Sequence, residues 1–570
     1  MSQIQNPILP GYFPDPSICR VGEDYYIANS TFEWFPGVPI HHSRDLVNWR
    51  LIGHALTRQS QLDLHGIVDS GGVWAPSLSH ADGQFWLTYT NIRTWGMGRP
   101  FKDIGIYLTT AKDIRGPWSD PVVLNSIGFD PSLFHDDDGR KWLVNKEWDF
   151  RKGRHRFAGI VIQEYDPKSQ KLVGPMTKIL EKTGILTEGP NLYKRDGWYY
   201  LMLAEGGTGW NHGISMARAR NLLGPYELDP QPSVLTSRDD PALTLQKAGH
   251  GELVQTPAGE WYLAHLASRP IKTSTGKNLA SPDKTASAEV HAGHRCVLGR
   301  ETCLQRVEWR DGWLRLAGGG MKPQEVVAAP GVRQVLECAS PLALWDDSGR
   351  TESGRGLPQS KTLAREARDD FAKTTLDMRW SSLRQPVSES WLSLVERRGW
   401  LRLRGGDSLF SLFRQSLLAR RVQHFQFIAE TCLEFSPTHF MQMAGLICYY
   451  DTRQHFYLRV THEEKVGKVL GIVLTDDGAY DELADSQIVI NDWKLIYLRA
   501  TVDNERLQFS ASPDGGTWRN IGPVLDMSKL SDDYGSTLRF TGAMVGVCAQ
   551  DIGGTHAVAD FDYFDCRPAE

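Results

Sequence analysis

Three acidic side chains occupy matching places in short segments that recur along the chain. Asp15 and Asp130 each begin a segment of the form Asp-Pro-Ser, and Glu188 stands immediately before the segment that begins at Gly189. Hydrolysis of a glycosidic bond needs one carboxylic acid to protonate the leaving oxygen and one carboxylate on the opposite face of the sugar. Carboxylates at three matching places of a repeat therefore indicate a site for that reaction.

Two other residues of interest share these places. His250 holds the first position of the fifth segment, and Trp74 directly precedes the second segment, where its ring would form a shelf for a sugar. Each has a plainer interpretation: His250 as a neutral, hydrogen-bonded residue that closes a channel, and Trp74 as a packing aromatic. An Asp-Pro pair can likewise be a simple turn. Recurrence at equivalent positions favours the functional interpretation for the carboxylates.

The recurring segments determine the expected architecture. Their first residues are Asp15, Ala75, Asp130, Gly189 and His250. Consecutive starts lie 60, 55, 59 and 61 residues apart, and each unit reads as four short strands. Five such units predict an all-β, five-bladed β-propeller over residues 1–320, with a solenoid as the alternative. Equivalent inner-strand residues then converge at one mouth of the channel, where Asp15 and Glu188 face each other because their blades are not adjacent.

The repeat ends near residue 317, and a different pattern follows. Residues 321–370 predict a linker with a polar loop, because Ser348 to Asp370 contains few large apolar residues. Alternating strands such as HFYLRVTHEE and WKLIYLRATVD come next. They predict a β-sandwich, a concanavalin-like jelly roll, over residues 371–570.

Composition excludes several classes of partner. The 570 residues carry a net charge of −5 with both signs interspersed, so no basic surface indicates nucleic acid. No stretch approaches the roughly 20 apolar residues of a membrane span, and the first residues lack the features of a signal peptide. The eight cysteines form no CxxC pair. We therefore expect a cytoplasmic protein without nucleic-acid or membrane partners.

Longer motifs make the chain resemble a known family. NPILPGYFPDPSI, GGVWAPSL, GFDPSLFHDDDGRKW, LTEGPNLY, LGRET and GAMVGVCAQD closely resemble the β-xylosidases of glycoside hydrolase family 43, over nearly the whole chain. The resemblance implies that Asp15 is the general base, Glu188 the general acid and Asp130 the carboxylate that orients the acid and raises its pKa. It also implies that Phe32 and Trp74 are apolar walls of a xylose subsite.

The resemblance implies roles for three more residues. Arg300 of LGRET would bind sugar hydroxyls, and Phe540 of the second domain would lend an aromatic ring to the pocket rim. His250 would contact the substrate or lie beside a central cation, often Ca²⁺, that is held mostly through waters. No cofactor is expected to be required for the chemistry.

These residues predict an exo-acting, inverting β-1,4-xylosidase that releases xylose from the non-reducing ends of xylo-oligosaccharides, with α-L-arabinofuranosidase side activity. One alternative is an enzyme that is mainly an α-L-arabinofuranosidase, because arabinofuranose and xylopyranose present similar hydroxyls to a small pocket. Another is a non-catalytic, carbohydrate-binding propeller. We also expect a homo-oligomer, either a dimer or a tetramer.

Overall fold

The computed structural model describes residues 2–96, 100–182, 185–274, 291–331 and 367–569. Within these ranges the chain is almost entirely β-strand, which confirms the all-β class. Its helical elements there are two single 3₁₀ turns, Ala484–Ser486 and Met527–Lys529. Most of the expected linker, including the polar loop up to residue 366, lies outside the described residues. None of the helices found in the described ranges has the length and apolar character to cross a membrane.

Five antiparallel sheets, each with four strands in chain order, form the first part of the molecule. Their strands are Ser17–Val21, Asp24–Ala28, Gly37–Ser43 and Arg50–Leu56; Gly72–Ala81, Gln84–Thr94, Asp103–Ala111 and Val122–Asn125; Gly128–His135, Lys141–Trp148, Phe157–Asp166 and Lys171–Leu180; Thr187–Arg195, Trp198–Glu205, Gly213–Ala219 and Glu227–Leu228; and Gln246–Gln255, Trp261–Ser268, Glu301–Arg310 and Trp313–Leu316. The short strand Leu235–Thr236 extends the fourth sheet. Each innermost strand contacts the next one, and the first contacts the fifth. The ring is therefore closed, and the five-bladed propeller is confirmed.

The innermost strands share one backbone feature at the positions that the repeat aligns. Left-handed φ angles, from 34° to 55°, occur at Asp15, Ala75, Asp130, Gly189 and His250. In the second to fifth blades the strand pairing shifts beside this position, as in a β-bulge. A bulge re-aims the side chains next to it, and a left-handed residue with a side chain costs about 1–3 kcal/mol. The repeat in sequence is therefore also a repeat of backbone geometry at the channel mouth.

Residues 368–568 form two antiparallel sheets that pack face to face. The first has the strand order Leu392–Ser393, Leu401–Arg404, Val558–Pro568, Gln426–Phe435, Ile496–Asp503, Arg506–Ser512, Arg519–Asp526, and Arg368–Asp369 lies beside Val558–Pro568. The second has the order Ala479–Glu482, Gly467–Asp476, Gln454–Glu463, Gln442–Asp451, Met544–Asp551, Ser416–Arg421, Ser381–Leu383, Trp34–Phe35, and Ile488–Val489 lies beside Gly467–Asp476. Burial alternates along strands such as Ile496–Asp503, so one face of each sheet enters a shared apolar core. The predicted sandwich is confirmed.

The last strand of the second sheet comes from the propeller. Trp34–Phe35 lies between the second and third strands of the first blade, and it pairs with Ser381–Leu383 of the sandwich. The buried apolar cluster around this strand contains Phe32 and Trp74 from the propeller together with Tyr449 from the sandwich. The two halves therefore share a hydrophobic core, which fixes the sandwich against the channel mouth.

Two short strand pairs complete the described fold. Gln3–Gln5 pairs with Val326–Ala328, and Ile271–Lys272 pairs with His294–Arg295. The backbone N–H of Ile8 also donates to the carbonyl of Thr302 at 2.9 Å. The first residues of the chain are thus tied to the fifth blade, which anchors the segment leading into Asp15.

Candidate active site

A cavity of about 610 Å³ opens at the channel mouth, between the propeller and the sandwich. All eight side chains that the sequence assigns to the site line it: Asp15, Phe32, Trp74, Asp130, Glu188, His250, Arg300 and Phe540. Three of them, Asp15, Asp130 and His250, also border the narrow cavity of the central channel, so they lie at the floor. A concave, largely aromatic pocket with a few convergent charged groups is typical of a small-molecule site.

Asp15 is held as an ionised carboxylate. Its Oδ2 accepts a hydrogen bond from Ser30 Oγ at 2.6 Å, and its Oδ1 lies 3.1 Å from Arg300 Nη1 and 3.3 Å from His250 Nδ1. Burial by itself raises the pKa of Asp15, but Arg300, His250 and Ser30 outweigh burial and hold that pKa below its ordinary value. A carboxylate that stays ionised is suited to accept a proton from water.

Glu188 is shifted in the opposite direction. Burial, followed by the negative charge of Asp130, raises the pKa of Glu188 to about 7, although Lys146 acts against the shift. Asp130 accepts a hydrogen bond from the backbone N–H of Gly189 at 3.1 Å, which fixes it beside the acid. A carboxyl group with a pKa near 7 keeps its proton at mildly acidic pH. Glu188 is therefore suited to act as a general acid.

His250 lies close to all three carboxyl groups. Burial by itself lowers its pKa, but the hydrogen bond and charge of Asp15, with the charges of Asp130 and Glu188, raise the pKa of His250 to about 9. The ring is therefore positively charged at neutral pH. This charge offsets part of the cost of burying several carboxylates in one pocket.

The channel beside His250 is narrow for a calcium ion and its ligands. The channel cavity there has about 10 Å³, which is room for about one water molecule, whereas Ca²⁺ takes six to eight oxygen ligands. In the described part of the chain, the ligand cluster within metal-binding reach is instead Cys296, Asp532 and Asp533. Lys247 Nζ lies 2.6 Å from Asp533 Oδ1 and fills that cluster. The cation beside His250 stays a prediction.

Aromatic rings from both halves form one wall. The Phe540 ring stacks on Trp95 at 4.9 Å between centroids and meets the edge of Trp74 at 5.3 Å. Phe32 lies 6.1 Å from Trp74 and from Phe540. Ser70 connects two of these rings, because its carbonyl accepts from Trp74 Nε1 at 2.9 Å and its hydroxyl accepts from the Phe540 N–H at 3.1 Å. The sandwich therefore supplies part of the pocket itself.

Arg300 joins the candidate base to the sandwich. Its Nη1 donates to Asp15 and its Nη2 donates to the carbonyl of Phe540 at 2.9 Å. The residue is 1% exposed, and its Nε has no hydrogen-bond partner among the described residues. Arg300 thus keeps Asp15 ionised and holds the Phe540 segment. Its predicted contact with sugar hydroxyls stays a prediction.

Two lysines that the sequence analysis did not select act on the site: Lys102 lines the cavity, and the charge of Lys146 acts on Glu188. Lys146 Nζ lies 3.9 Å from the centroid of the Phe157 ring. Lys102 Nζ lies 4.7–5.4 Å from the centroids of four rings: Trp74, Trp95, Phe129 and Trp148. Burial lowers the pKa of Lys102 to about 8 and the pKa of Lys146 to about 7. Both lie outside the repeated motif, and the local richness in aromatics was their one sequence signal.

Comparisons with known proteins agree with this geometry. The sequence model of Glycosyl hydrolases family 43 matches residues 4–314, and that of the Beta xylosidase C-terminal Concanavalin A-like domain matches residues 368–567. The Beta-xylosidase of Bacillus subtilis (strain 168) is 45% identical over 566 residues, 99% of each chain. Xylosidase/arabinosidase 43B of Humicola insolens is 45% identical and covers 100% of this chain and 98% of its own. The crystal structure of xylan beta-1,4-xylosidase from Bacillus halodurans C-125 has a TM-score of 0.88 and 50% identity, covering 99% and 100% of the two chains.

Proposed function

The chain belongs to glycoside hydrolase family 43, and we propose that it is an exo-acting, inverting β-1,4-xylosidase with α-L-arabinofuranosidase side activity. The observation that carries this proposal is the opposite protonation of two carboxyl groups in one pocket. Asp15 has a lowered pKa, and Glu188 has a pKa raised to about 7. Similar proteins that are named xylosidases support the choice of sugar.

In the proposed reaction Glu188 gives its proton to the glycosidic oxygen as the bond from that oxygen to the anomeric carbon breaks. A water attacks the anomeric carbon from the opposite face, and Asp15 accepts a proton from this water. One water is consumed, and the proton gained by Asp15 returns to Glu188 through solvent. Inversion needs about 6.5–9.5 Å between the two carboxyl groups. The non-adjacent first and fourth blades favour that wide separation.

The neighbouring charges maintain these two protonation states. Asp130 raises the pKa of Glu188 by its negative charge, which keeps the acid protonated. Arg300 and His250 lower the pKa of Asp15, which keeps the base ionised. Each group thereby holds the protonation state that its step requires before the substrate arrives.

Closure of the pocket supports exo action. The floor is formed by the inner strands of the blades, and Leu538 and Phe540 of the sandwich close one side. A pocket that is closed in this way admits the end of a chain, whereas an open channel mouth would accept a chain lying across it. The carboxyl groups at the floor act on the anomeric carbon of the sugar bound there, and that carbon carries the bond to the rest of the chain, so the end that enters is the non-reducing one.

Release of xylose from xylobiose, followed by ¹H NMR, tests the proposal directly. We expect xylose as the product, with slower hydrolysis of nitrophenyl α-L-arabinofuranoside. A relative named xylosidase/arabinosidase supports the second activity. Hydrolysis of the arabinofuranoside alone would show an enzyme that is mainly an arabinofuranosidase. Turnover of neither substrate would show a non-catalytic propeller.

Asp130→Asn should shift the alkaline limb of the pH–activity profile to lower pH. The change removes a negative charge that raises the pKa of Glu188. The pKa of the acid therefore falls, and the acid loses its proton at lower pH. We expect a shift of roughly one pH unit in kcat/KM. Asparagine can still accept the hydrogen bond from Gly189, so an unchanged limb would leave Asp130 as a positioning residue only.

Two expectations about the setting of the enzyme accompany this proposal. The seven cysteines of the described residues are all unpaired, which supports action in a reducing compartment, the cytoplasm, on imported xylo-oligosaccharides. We further propose a homo-oligomer, a dimer or a tetramer. Light scattering on the purified enzyme measures its mass and decides between these states and a monomer.

A further inference from the structure

One loop beside the pocket is strongly basic. Residues 149–156, with the sequence DFRKGRHR, join the strands Lys141–Trp148 and Phe157–Asp166 of the third blade. The loop contains four exposed cationic side chains and one acidic residue: Arg151, Lys152, Arg154, Arg156 and Asp149. Asp149 pairs with Arg151 at 2.6 Å, and the other three cations form no ion pair within the described residues. Because the whole protein has a net charge of −5, this local excess is not a consequence of composition.

The loop lies at the mouth of the pocket. Trp148 and Phe157, which bracket it, both line the cavity. The Trp148 Nε1–H donates to the carbonyl of Pro100 at 2.9 Å, which joins this edge of the third blade to the second blade. The guanidinium of Arg156 lies 5.9 Å from the centroid of the Trp148 ring. The basic loop therefore begins and ends beside residues that are fixed at the rim of the pocket.

A lysine and two aromatic rings continue this rim. Lys102 lines the cavity, and no ion pair to it is found in the part of the chain that the structure describes. The charges of Glu188 and Asp130 raise the pKa of Lys102 but do not outweigh the effect of burial, so an anionic ligand nearby would stabilise the ammonium further. Phe101 and Phe150 are 61% and 48% exposed, with ring centroids 4.9 Å apart. Exposed aromatic rings next to a sugar pocket offer a flat apolar surface for a further sugar.

We propose that this basic and aromatic rim binds a carboxylate on the leaving-group side of the substrate, so that the enzyme prefers xylo-oligosaccharides bearing a uronic acid. The inference rests on the proposed function. When the terminal sugar of the substrate lies at the floor, the rest of the oligosaccharide extends out through the mouth. The sugars beyond the cleaved bond therefore lie against the rim. Arginine presents a planar fork of donors that matches a carboxylate. The net negative charge of the protein disfavours a long polyanion as the ligand.

Two matched trisaccharides test the proposal: xylotriose, and xylotriose that carries a glucuronic acid on its middle sugar. The variant replaces Lys152, Arg154 and Arg156 with glutamine. The control variant replaces Lys112, Arg115 and Lys168, which are exposed outside the pocket. We expect the wild type to have the higher kcat/KM on the acidic substrate. In the rim variant the ratio of kcat/KM on the acidic substrate to kcat/KM on xylotriose should fall about tenfold, whereas in the control variant this ratio should stay as in the wild type.

Salt gives a second readout. Raising the ionic strength should reduce the preference for the acidic substrate in the wild type and change it little in the rim variant, because exposed charges are screened. Equal kcat/KM for the two substrates in the wild type would overturn the proposal. So would equal preferences in the rim and control variants. Failure to cleave xylotriose at all would instead contradict the proposed function, so the two failures are distinguishable.

Discussion

Glu188→Gln is expected to lower kcat on xylobiose by roughly 10²–10⁴-fold, the usual contribution of general acid–base catalysis. Glutamine has nearly the size of glutamate but has no carboxyl proton to give to the leaving oxygen. Nitrophenolate is a stable anion that leaves without protonation. The same variant should therefore lose much less activity on nitrophenyl β-xyloside. Steady-state kinetics on the two substrates measure the difference.

Asp15→Asn is the matched control for this result. The base acts on water and not on the leaving group, so its loss should impair xylobiose and nitrophenyl β-xyloside to the same degree. Thermal unfolding of each variant shows whether the fold is intact, since Arg300 and His250 lose a charged partner in Asp15→Asn. Equal losses for Glu188→Gln on both substrates would contradict the role of Glu188 as the acid. Losses below tenfold for both variants would contradict the whole assignment.

A fragment of residues 1–331 is expected to be inactive and to aggregate. Without the sandwich, Trp34–Phe35 loses its strand partner and the apolar cluster around it becomes exposed. Burial of one large apolar side chain contributes about 1.5–3 kcal/mol. Exposure of several therefore approaches the 5–15 kcal/mol that typically separates folded and unfolded states. Sedimentation and xylobiose hydrolysis measure the outcome.

A point variant separates the local contribution of the sandwich from its contribution to folding. Phe540→Ala in the full chain keeps the strand pairing of Trp34–Phe35 and removes one ring from the pocket wall. We expect it to fold and to show a raised KM for xylobiose. A soluble 1–331 fragment with full activity would show instead that the sandwich is an accessory module and that the propeller loops alone give exo-specificity.

The residues at the floor of the site could be predicted from the sequence because they belong to a repeat. Asp15, Asp130 and His250 stand at one aligned position, and the same left-handed backbone recurs there in each blade. Glu188 precedes the equivalent position in the fourth blade. A regular period thus converts spacing along the chain into proximity in space. Phe540 was placed at the rim through family resemblance, and the structure puts its ring against Trp74.

The residues that form the walls of the pocket could not be predicted from the sequence in the same way. Lys102 lies in a connection between strands, and its position depends on aromatic rings from two blades. Ser70 connects Trp74 to a sandwich segment that lies 470 residues further along the chain. The pairing of Trp34–Phe35 of the propeller with a strand of the sandwich likewise leaves no periodic signal in the sequence. Such contacts are made by single residues far apart in sequence, and neither periodicity nor propensity encodes them.

Hydrolysis of nitrophenyl β-xyloside gives the decisive test of the two roles, because this substrate releases a single xylose whose first anomer can be read without interference from a leaving sugar. Opposed roles for Asp15 and Glu188 require water to attack the face opposite the leaving group, so the β-linkage must yield α-xylose. In the ¹H NMR time course, we expect the α-anomer signal to appear first and the β-anomer signal to grow later by mutarotation. Appearance of β-xylose as the first product would show retention and would contradict the assignment of Asp15 as a general base.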